Sequence, residues 1–513
     1  MKFSLLNKKA ESLSVECADL LYDLSVDRAI NAIITDSRRA EYFLSVLAKP
    51  LTDVENIRYR QEIFTDLHNI PNLFEDLRTV FTRYDKIRQD WHELRLNATP
   101  MSDSSINPEA LLEHTFASLK VTAIFPGTIA SYYGSINDVL SRYPIKSAGL
   151  CRMRDYCADM MQNDSLNELV EIAQLFKYHS PEHFNFEVSA VFDSTMRLAG
   201  CGLSDISEFK DGSGKFSLAN LFKKKQADDS TVDIAAMNAE ETEKGKNDKT
   251  PPQLDDISFD DSIFLQNEAL SRIDAVMTKV TNDVYETFFG MSRELMFYEA
   301  ALIYARLAEG EEIPICTPEI LPAEEDTLEA YGLRELYLMC SGVKGKNIVP
   351  NDAVLGSDRR GMLIKGMTDT GKTVYLRSIG ALQLFAQAGL PVLAEKAKVS
   401  VRHGFFSHFS SAEEEFMAGD AAGRFDQEAK EVSKILDRIV PHSLVFFNET
   451  FQTTSYGEGT EGMANILKIL PRLKTKYVFV THLTKLFEVM ENEGVILAST
   501  GEGEEKKYKI IAK

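Results

Sequence analysis

The sequence predicts a multidomain protein in which an all-α core with long helical arms precedes an α/β domain with a mostly parallel sheet. Apolar residues recur at helical spacing through most of the first 225 residues. An acidic segment then interrupts the chain at about 226–261. From Pro314 onward, short apolar runs alternate with helical patterns, which is typical of parallel strands joined by crossover helices.

Length and composition narrow the class of protein. A chain of 513 residues with 44% hydrophobic residues has ample core for more than one domain. The net charge of −21 argues against a protein that coats nucleic acid non-specifically, although a local basic patch can still contact DNA. No apolar run approaches the roughly 20 residues of a membrane span. Six scattered cysteines and a charged N-terminus without a signal peptide indicate a cytoplasmic protein.

The N-terminal part is predicted to be helical to about residue 200, with a core domain at 1–130 and a lever-like or clamp-like region at 131–225. Pro50 ends one helix, and Thr52 or Asp53 caps the next. The later helices are predicted at about 71–97, 114–124, 135–140 and 166–176.

The acidic segment at 226–261 has few apolar residues and contains Pro251-Pro252. Such a segment cannot bury enough apolar surface to offset the entropy lost on ordering, which predicts a flexible linker. A long return helix of the core is expected at 262–311, with a break at Gly290. Two long helical stretches on either side of a linker suggest a hairpin-like excursion from the helical core.

The last predicted domain spans about 312–513. Its short apolar runs are interpreted as strands of one sheet. These runs are Leu336–Met339, Met362–Ile364, Leu444–Phe447, Tyr477–Val480 and Lys507–Ile511.

A glycine-rich loop in this domain fits the P-loop pattern G-x-x-x-x-G-K-[ST]. Its backbone N–H groups and the N-terminus of the following helix can bind phosphate. Lys372 is expected to reach the β- and γ-phosphates, and the Thr373 hydroxyl to bind Mg²⁺. The alternative is a glycine-rich turn with a solvent-facing lysine; the strand before and the helix after the loop favour the phosphate site. The motif consists of Gly366, Met367, Thr368, Asp369, Thr370, Gly371, Lys372 and Thr373.

Polar residues end two other predicted strands. Asn448 and Glu449 follow one apolar run, where P-loop enzymes place a Mg²⁺ ligand and a residue that orients the attacking water. Asn448 offers a carbonyl oxygen but no charge, so Mg²⁺ should bind more weakly. His482 ends another run and is a candidate to sense the γ-phosphate or polarise water. The alternatives are an ordinary strand end for the first pair and a packed or exposed histidine for His482.

These residues resemble the MutS family of DNA mismatch-repair ATPases. In the N-terminal part, Lys49-Pro50-Leu51-Thr52-Asp53, Ile57 and Arg60-Gln61 resemble a corner of that family's helical core. The nucleotide domain carries most of the resemblance. Its matching residues are Val349-Pro350-Asn351-Asp352, Met362-Leu363-Ile364, Gly366, Gly371-Lys372-Thr373, Tyr375-Leu376-Arg377, Ser443-Leu444-Val445, Glu449, Thr453-Thr454-Ser455 and Thr481-His482.

The resemblance implies an ABC-type ATPase fold, ATP and Mg²⁺ as ligands, and a homodimer. Asn351 and Val374 join the expected nucleotide-binding residues. A signature loop from the partner subunit completes each P-loop in this family, and in this chain it would lie near residues 419–425. Here Gly423 offers a backbone N–H and Arg424 an arginine finger in trans to the partner's γ-phosphate.

The chain departs from the family pattern at four positions in this domain. Thr368 replaces the usual P-loop asparagine, Asn448 the Mg²⁺-binding acid, Val374 a serine or threonine, and Gly423-Arg424 part of the signature Ser-Thr-Phe. The sequence also shows no stretch expected to form the mismatch-reading domain or the connector domain. The resemblance is therefore to a divergent, short member.

Two functions fit these observations best. The first is an ATPase that works as a homodimer on DNA in mismatch repair or recombination, with ATP-driven closure coupled to the helical arms. The second is a hydrolysis-poor, nucleotide-dependent switch or scaffold for a protein partner, favoured by Asn448, Gly423 and the net charge. A small-molecule kinase fits less well, because the signature-like loop and the long helices do not suit a compact kinase.

Overall fold

The computed structural model describes most of the chain. The described residues are 3–8, 16–98, 108–178, 184–192, 198–208, 215–216, 259–410, 421–451, 456–501 and 507–512. Three features of the sequence analysis fall partly or wholly outside them. These are the acidic segment up to residue 258, residues 419–420 of the signature-like loop, and Thr453-Thr454-Ser455.

The chain forms two compact units. One contains Met1–Phe3, Glu75–Pro144 and Arg152–Gly290. The other contains Ser4–Phe74, Ile145–Cys151 and Met291–Lys513. Residues 4–74, which the sequence predicts as part of a separate core domain at 1–130, pack into the same unit as the C-terminal α/β part.

The first part of the chain is mainly helical. Its helices are α1 (Ala18–Asp23), α2 (Val26–Ile33), α3 (Ser37–Leu47), α4 (Val54–Asn69), α5 (Leu73–Ala98), α6 (Pro108–Arg142), α7 (Ala148–Met161), α8 (Asp164–Tyr178) and α9 (Phe259–Gly310). Asp53 is the residue that caps α4, because its carboxylate accepts hydrogen bonds from the backbone N–H groups of Glu55 at 2.7 Å and Asn56 at 3.1 Å.

Two predicted helix breaks are wrong. The segments predicted at 114–124 and 135–140 belong to one helix, α6, which continues through Pro126. Buried Phe125, Ile129 and Tyr133 maintain the helical spacing across the proline, so packing overrides the local breaker. Helix α9 likewise continues through Gly290, where Phe288 and Met291 are both buried.

The prediction of helix to about residue 200 is also wrong. Strands β1 (Phe184–Phe192) and β2 (Leu198–Glu208) pair antiparallel, and β3 (Lys215–Phe216) pairs with β2. The alternation of apolar and polar residues in Phe184–Phe192 has the period of two that is typical of a strand. The signal was therefore present in the sequence.

The C-terminal part contains two sheets. The larger has the order β13-β12-β7-β11-β10-β9 and is parallel except for the β12–β13 pair. The smaller has the order β4-β8-β5-β6. The strands are β4 (Glu319–Leu321), β5 (Leu328–Leu333), β6 (Asn351–Leu355), β7 (Gly361–Lys365), β8 (Lys396–Ser400), β9 (Gly404–Phe409), β10 (Ser443–Asn448), β11 (Lys476–Val480), β12 (Val495–Thr500) and β13 (Ile510–Ala512).

Five helices of the described residues accompany these strands, and the mostly parallel sheet with crossover helices is confirmed. The helices are α10 (Leu336–Cys340), α11 (Lys372–Ala388), α12 (Ala421–Arg438), α13 (Tyr456–Ile469) and α14 (Thr484–Met490). The run Leu336–Met339, predicted as a strand, is instead helix α10. A local contact favours the helix, because the Glu335 carboxylate caps it by accepting a hydrogen bond from the Leu338 N–H at 2.6 Å.

Helix α11, which follows the glycine-rich loop, is held by the N-terminal segment. Gln387 is fully buried and exchanges two hydrogen bonds with the backbone of Leu51, at 2.7 and 3.2 Å. The Arg60 guanidinium donates to the Ala388 carbonyl at 3.3 Å. These contacts fix the end of α11 that lies farthest from the loop, so the helix provides a rigid base for the loop.

None of the helices in the described residues is both long enough and apolar enough to cross a membrane.

Candidate nucleotide-binding site

The glycine-rich loop connects β7 to α11, and its two glycines are required by their surroundings. A Cβ atom at Gly366 would lie 2.3 Å from Thr500 Oγ1. Gly371 is the N-cap of α11, with a φ of +86°, a left-handed conformation that favours glycine. A Cβ atom there would also lie 3.2 Å from Tyr508 Cδ1. The loop can therefore keep this shape only with glycine at both positions.

The loop residues between the glycines are mostly exposed. Met367 is 80% exposed, and Thr368 and Asp369 are exposed as well. The Thr370 hydroxyl donates to the Met367 carbonyl at 2.6 Å. The loop is therefore accessible along this stretch, and its expected contact with phosphate stays a prediction.

Lys372 begins α11 and is largely buried. Its ammonium group donates to the Met367 carbonyl across the loop at 2.7 Å. Burial lowers the pKa of Lys372, while the charges of Glu449 and Asp369 raise it. The side chain thus lies along the loop rather than in solvent, and its expected contact with phosphate stays a prediction.

Thr373 and Asn448 meet across the sheet. The Thr373 hydroxyl donates to Asn448 Oδ1 at 2.9 Å. Asn448 ends β10, which is separated from β7 by β11 in the sheet. Because these strands are parallel, their carboxyl ends lie at the same edge. The two predicted Mg²⁺ ligands are therefore adjacent.

Glu449 and His482 form a second pair at the same edge. Glu449 Oε1 lies 3.1 Å from His482 Nε2. Burial raises the pKa of Glu449, while Lys372 and the His482 backbone N–H lower it. Burial and then the Lys372 charge lower the pKa of His482, which favours its neutral imidazole.

One oxygen of Glu449 has no hydrogen-bond partner among the residues that the structure describes. Oε2 is buried and accepts no hydrogen bond from any residue that the structure describes. A buried carboxylate oxygen without a donor is costly, so it is suited to accept from a group that enters the site. The residue also has a φ of 56°, in the left-handed region. Its own N–H donates to the Val480 carbonyl at 2.9 Å, which ties it to the end of β11.

Asn351 lies at the start of β6, and its side chain is engaged within the protein. The amide donates to the Tyr508 carbonyl at 3.1 Å, and its oxygen accepts from the Ile510 N–H at 2.8 Å. This side chain therefore joins β6 to β13. Its expected contact with nucleotide stays a prediction.

The remaining predicted residues lie on two helices. Val374 is half-buried in the first turn of α11. The backbone of Gly423 and Arg424 lies in the first turn of α12. The position of the Arg424 side chain is not part of the described structure, so its role in trans stays a prediction.

Sequence reasoning missed two residues that shape the loop. Thr500 ends β12 and lies against Gly366, and Tyr508 lies against Gly371. Both positions follow from the order of strands in the sheet, and neither has a local sequence signal.

The residues present fit a nucleotide with Mg²⁺. A hydroxyl and an amide oxygen are 2.9 Å apart beside the loop, and an unpaired carboxylate oxygen lies at the same edge of the sheet. Elsewhere in the described residues, no cluster of three or more His, Cys, Asp or Glu side chains is arranged to hold a metal ion.

Comparison with known proteins identifies this part of the chain. Residues 362–511 match the family model "MutS domain V", which covers the strand, the loop and the three strand ends described above. This part of the chain is similar to a domain of the MutS family. The predicted resemblance is confirmed for this domain.

Curated relatives agree with this assignment. The chain is 29% identical over 196 residues, or 37% of its length, to a probable DNA mismatch repair protein Msh6 of Drosophila melanogaster. It is 32% identical over 149 residues, or 28% of its length, to the DNA mismatch repair protein MutS of Caldicellulosiruptor saccharolyticus. It is also 32% identical over 142 residues, 28% of its length, to an endonuclease MutS2 of Streptococcus pneumoniae. The matches cover only 16%, 17% and 18% of those relatives.

Proposed function

We propose that this chain is a Mg²⁺-dependent ATPase that works as a homodimer on DNA. The observation that carries the proposal is the convergence of Lys372, Thr373, Asn448, Glu449 and His482 at one edge of a parallel sheet. The Thr373 hydroxyl donates to Asn448 Oδ1 at 2.9 Å. Glu449 Oε1 lies 3.1 Å from His482 Nε2. Ligands of open α/β sheets bind at the carboxyl ends of the strands, where these side chains lie.

Each residue has a distinct role in this proposal. Backbone N–H groups of the loop and the start of α11 bind the phosphates, and Lys372 exchanges the Met367 carbonyl for a phosphate oxygen. Thr373 and Asn448 would hold Mg²⁺, which neutralises phosphate charge when bound. Glu449 accepts a proton from the attacking water, and its unpaired Oε2 is available for that bond. His482 donates from Nε2 to the Glu449 carboxylate and orients it.

The dimer and the DNA are proposals that rest on the family. The relatives named above include two DNA mismatch repair proteins. Closure of two nucleotide domains would place Gly423 and Arg424 of one subunit against the γ-phosphate bound to the other. The helices of the first unit would transmit that closure to DNA, in mismatch repair or recombination.

A second function is supported by Asn448. An amide oxygen carries no charge, so it holds Mg²⁺ less strongly than a carboxylate. A chain with this residue can bind nucleotide normally and hydrolyse it slowly, as a switch or scaffold for a protein partner. This alternative uses the same site and differs in the rate of hydrolysis and in the partner.

The experiment that tests the proposal is steady-state ATP hydrolysis with Mg²⁺, alone and with linear or branched duplex DNA. Lys372→Ala and Glu449→Ala provide the inactive controls. Hydrolysis that both substitutions abolish and that DNA alters supports the proposal. If DNA does not change the rate of hydrolysis, the ATPase activity is supported and DNA is rejected as the partner. Nucleotide binding with hydrolysis no greater than in the variants supports the switch or scaffold.

The dimer has a separate test. ATP hydrolysis per subunit is measured while the protein is diluted, and the mass in solution is measured in parallel. If the partner subunit completes the site, hydrolysis per subunit falls as dimers dissociate. Hydrolysis per subunit that stays constant in a solution of monomers rejects this part of the proposal.

A further inference from the structure

Glu428 links three segments of the chain beside the proposed base. It lies on α12, and its Oε1 accepts a hydrogen bond from the Ser410 hydroxyl at 2.8 Å. Its Oε2 accepts from the Phe451 backbone N–H at 2.7 Å. One half-buried carboxylate therefore joins the residue after β9, the residue two positions after Glu449, and helix α12.

The backbone that Glu428 holds is in an unfavourable conformation. Glu449 has a φ of 56° and Phe451 a φ of 61°, and neither is glycine. Residues in the left-handed region persist only where surrounding contacts fix them, and such conformations are found at functional sites. Phe451 is buried, and its N–H is bound by the carboxylate of Glu428. This charge-assisted hydrogen bond is one of the contacts that fix the segment.

A second set of contacts joins α12 to Thr450, the residue between Glu449 and Phe451. In it, Glu431 of α12 contacts His408, and His408 contacts Thr450. His408 Nε2 lies 3.3 Å from Glu431 Oε2, and His408 Nδ1 lies 2.9 Å from the hydroxyl of the fully buried Thr450. The Ser410 N–H also donates to the Asn448 carbonyl at 3.0 Å. Residues of β9 and α12, together with Ser410, therefore form hydrogen bonds with Asn448, Thr450 and Phe451. Glu449 is bound instead by the end of β11, through the Val480 carbonyl.

We propose that Glu428 is a positioning residue that fixes the backbone of Glu449–Phe451 and so directs the Glu449 carboxylate toward the loop. This inference rests on the proposed function, since Glu449 is the base only in an ATPase. Glu428 acts through the backbone of residues 449–451 and does not touch the reacting atoms. Because the first turn of α12 contains Gly423 and Arg424, Glu428 also connects that helix to the base.

The test compares Glu428→Ala with Glu428→Gln. Glutamine retains both bonds, because its oxygen can accept from the Phe451 N–H and its nitrogen can donate to the Ser410 hydroxyl. Alanine removes both bonds. Asp437→Ala is the matched control, because it removes an exposed carboxylate from the same helix.

The first readout is ATP hydrolysis. We expect kcat to fall roughly tenfold to a hundredfold in Glu428→Ala, the range for loss of hydrogen bonds to a charged group. The KM for ATP should stay within about twofold, because the loop and Lys372 are untouched, and Glu428→Gln and Asp437→Ala should resemble the wild type. A wild-type kcat in Glu428→Ala overturns the proposal, as does a parallel loss of nucleotide binding and thermal stability.

The second readout does not require hydrolysis. Amide hydrogen exchange, measured by mass spectrometry on the full chain, should become faster at 449–451 in Glu428→Ala and stay at the wild-type rate in Glu428→Gln. Unchanged exchange in Glu428→Ala overturns the positioning role. If the wild-type chain does not hydrolyse ATP, the proposed ATPase function is rejected. The exchange experiment then still decides whether Glu428 fixes the backbone of residues 449–451.

Discussion

The Thr373 hydroxyl donates to Asn448 Oδ1 at 2.9 Å, so the start of α11 and the end of β10 are in direct contact. The pair occupies the place where the proposed Mg²⁺ would bind, and it contains no charge. We therefore expect a charge introduced at residue 448 to change the strength of metal binding.

Asn448→Asp should strengthen the binding of Mg²⁺ at the proposed site. The carboxylate keeps an oxygen for the Thr373 hydroxyl and adds a negative charge beside the metal. We expect the Mg²⁺ concentration for half-maximal hydrolysis to fall roughly tenfold, the change for about 1.4 kcal/mol. A Mg²⁺ titration of hydrolysis measures this, with Asn448→Ala as the variant that loses the oxygen. An unchanged midpoint in Asn448→Asp would show that residue 448 does not bind the metal.

Lys372→Ala should weaken ATP binding. The ammonium group lies along the loop and is available for a charge-assisted bond to phosphate. Loss of a hydrogen bond to a charged group costs about 1.5–3 kcal/mol, or roughly tenfold to a hundredfold in Kd. Equilibrium binding of a fluorescent ATP analogue measures the change. Lys365→Ala is the control, because that lysine ends β7 with its Nζ 5.0 Å from the centre of the Phe487 ring. Equal effects of the two substitutions would argue against a phosphate-binding role for Lys372.

The pH dependence of hydrolysis should show the raised pKa of Glu449. A general base works only when ionised, so activity is lost as pH falls through the pKa of Glu449. Burial is the largest influence and raises that pKa, so the acid limb of kcat/KM should lie above the usual glutamate range, about 4.3. The profile is measured at saturating Mg²⁺. Glu449→Gln should abolish the limb together with most activity, and a limb at the ordinary glutamate value would contradict the assignment.

Gly389→Ala should destabilise the unit that contains the C-terminal α/β part. Gly389 has a φ of +79°, and a Cβ atom there would lie 2.4 Å from Arg60 Cβ and 2.9 Å from the Ile57 carbonyl oxygen. We expect the free energy of unfolding to fall by about 1–3 kcal/mol, because both the backbone and the contact with α4 are strained.

Urea denaturation measures this change, and a second glycine provides the control. Gly462 lies within α13, and a Cβ atom there would meet no described atom within 4 Å. Gly462→Ala should therefore leave stability unchanged or raise it by up to about 1 kcal/mol, the difference in helix propensity. Equal stability of the Gly389 variant and the wild type would show that the N-terminal segment does not constrain α11.

The sequence by itself determined the main features of the C-terminal α/β part. The loop from Gly366 to Thr373 has a fixed spacing, and the buried strands before Asn448 and His482 are short, continuous apolar runs. The start of α4 at Asp53 is likewise predicted from the sequence, because a capping side chain binds backbone N–H groups only two or three residues away. Local signals failed where packing decides, as at Pro126 and Gly290, which lie inside continuous helices.

Only the tertiary structure decided which distant residues meet. The contact of Thr373 with Asn448, the unpaired oxygen of Glu449 and the two bonds of Glu428 depend on the order of strands in the sheet. Residues 23 positions apart along the chain, such as Glu428 and Phe451, are brought together by the path of the chain through the sheet. No local pattern of hydrophobicity contains that information, because strand order is set by the packing of the whole domain.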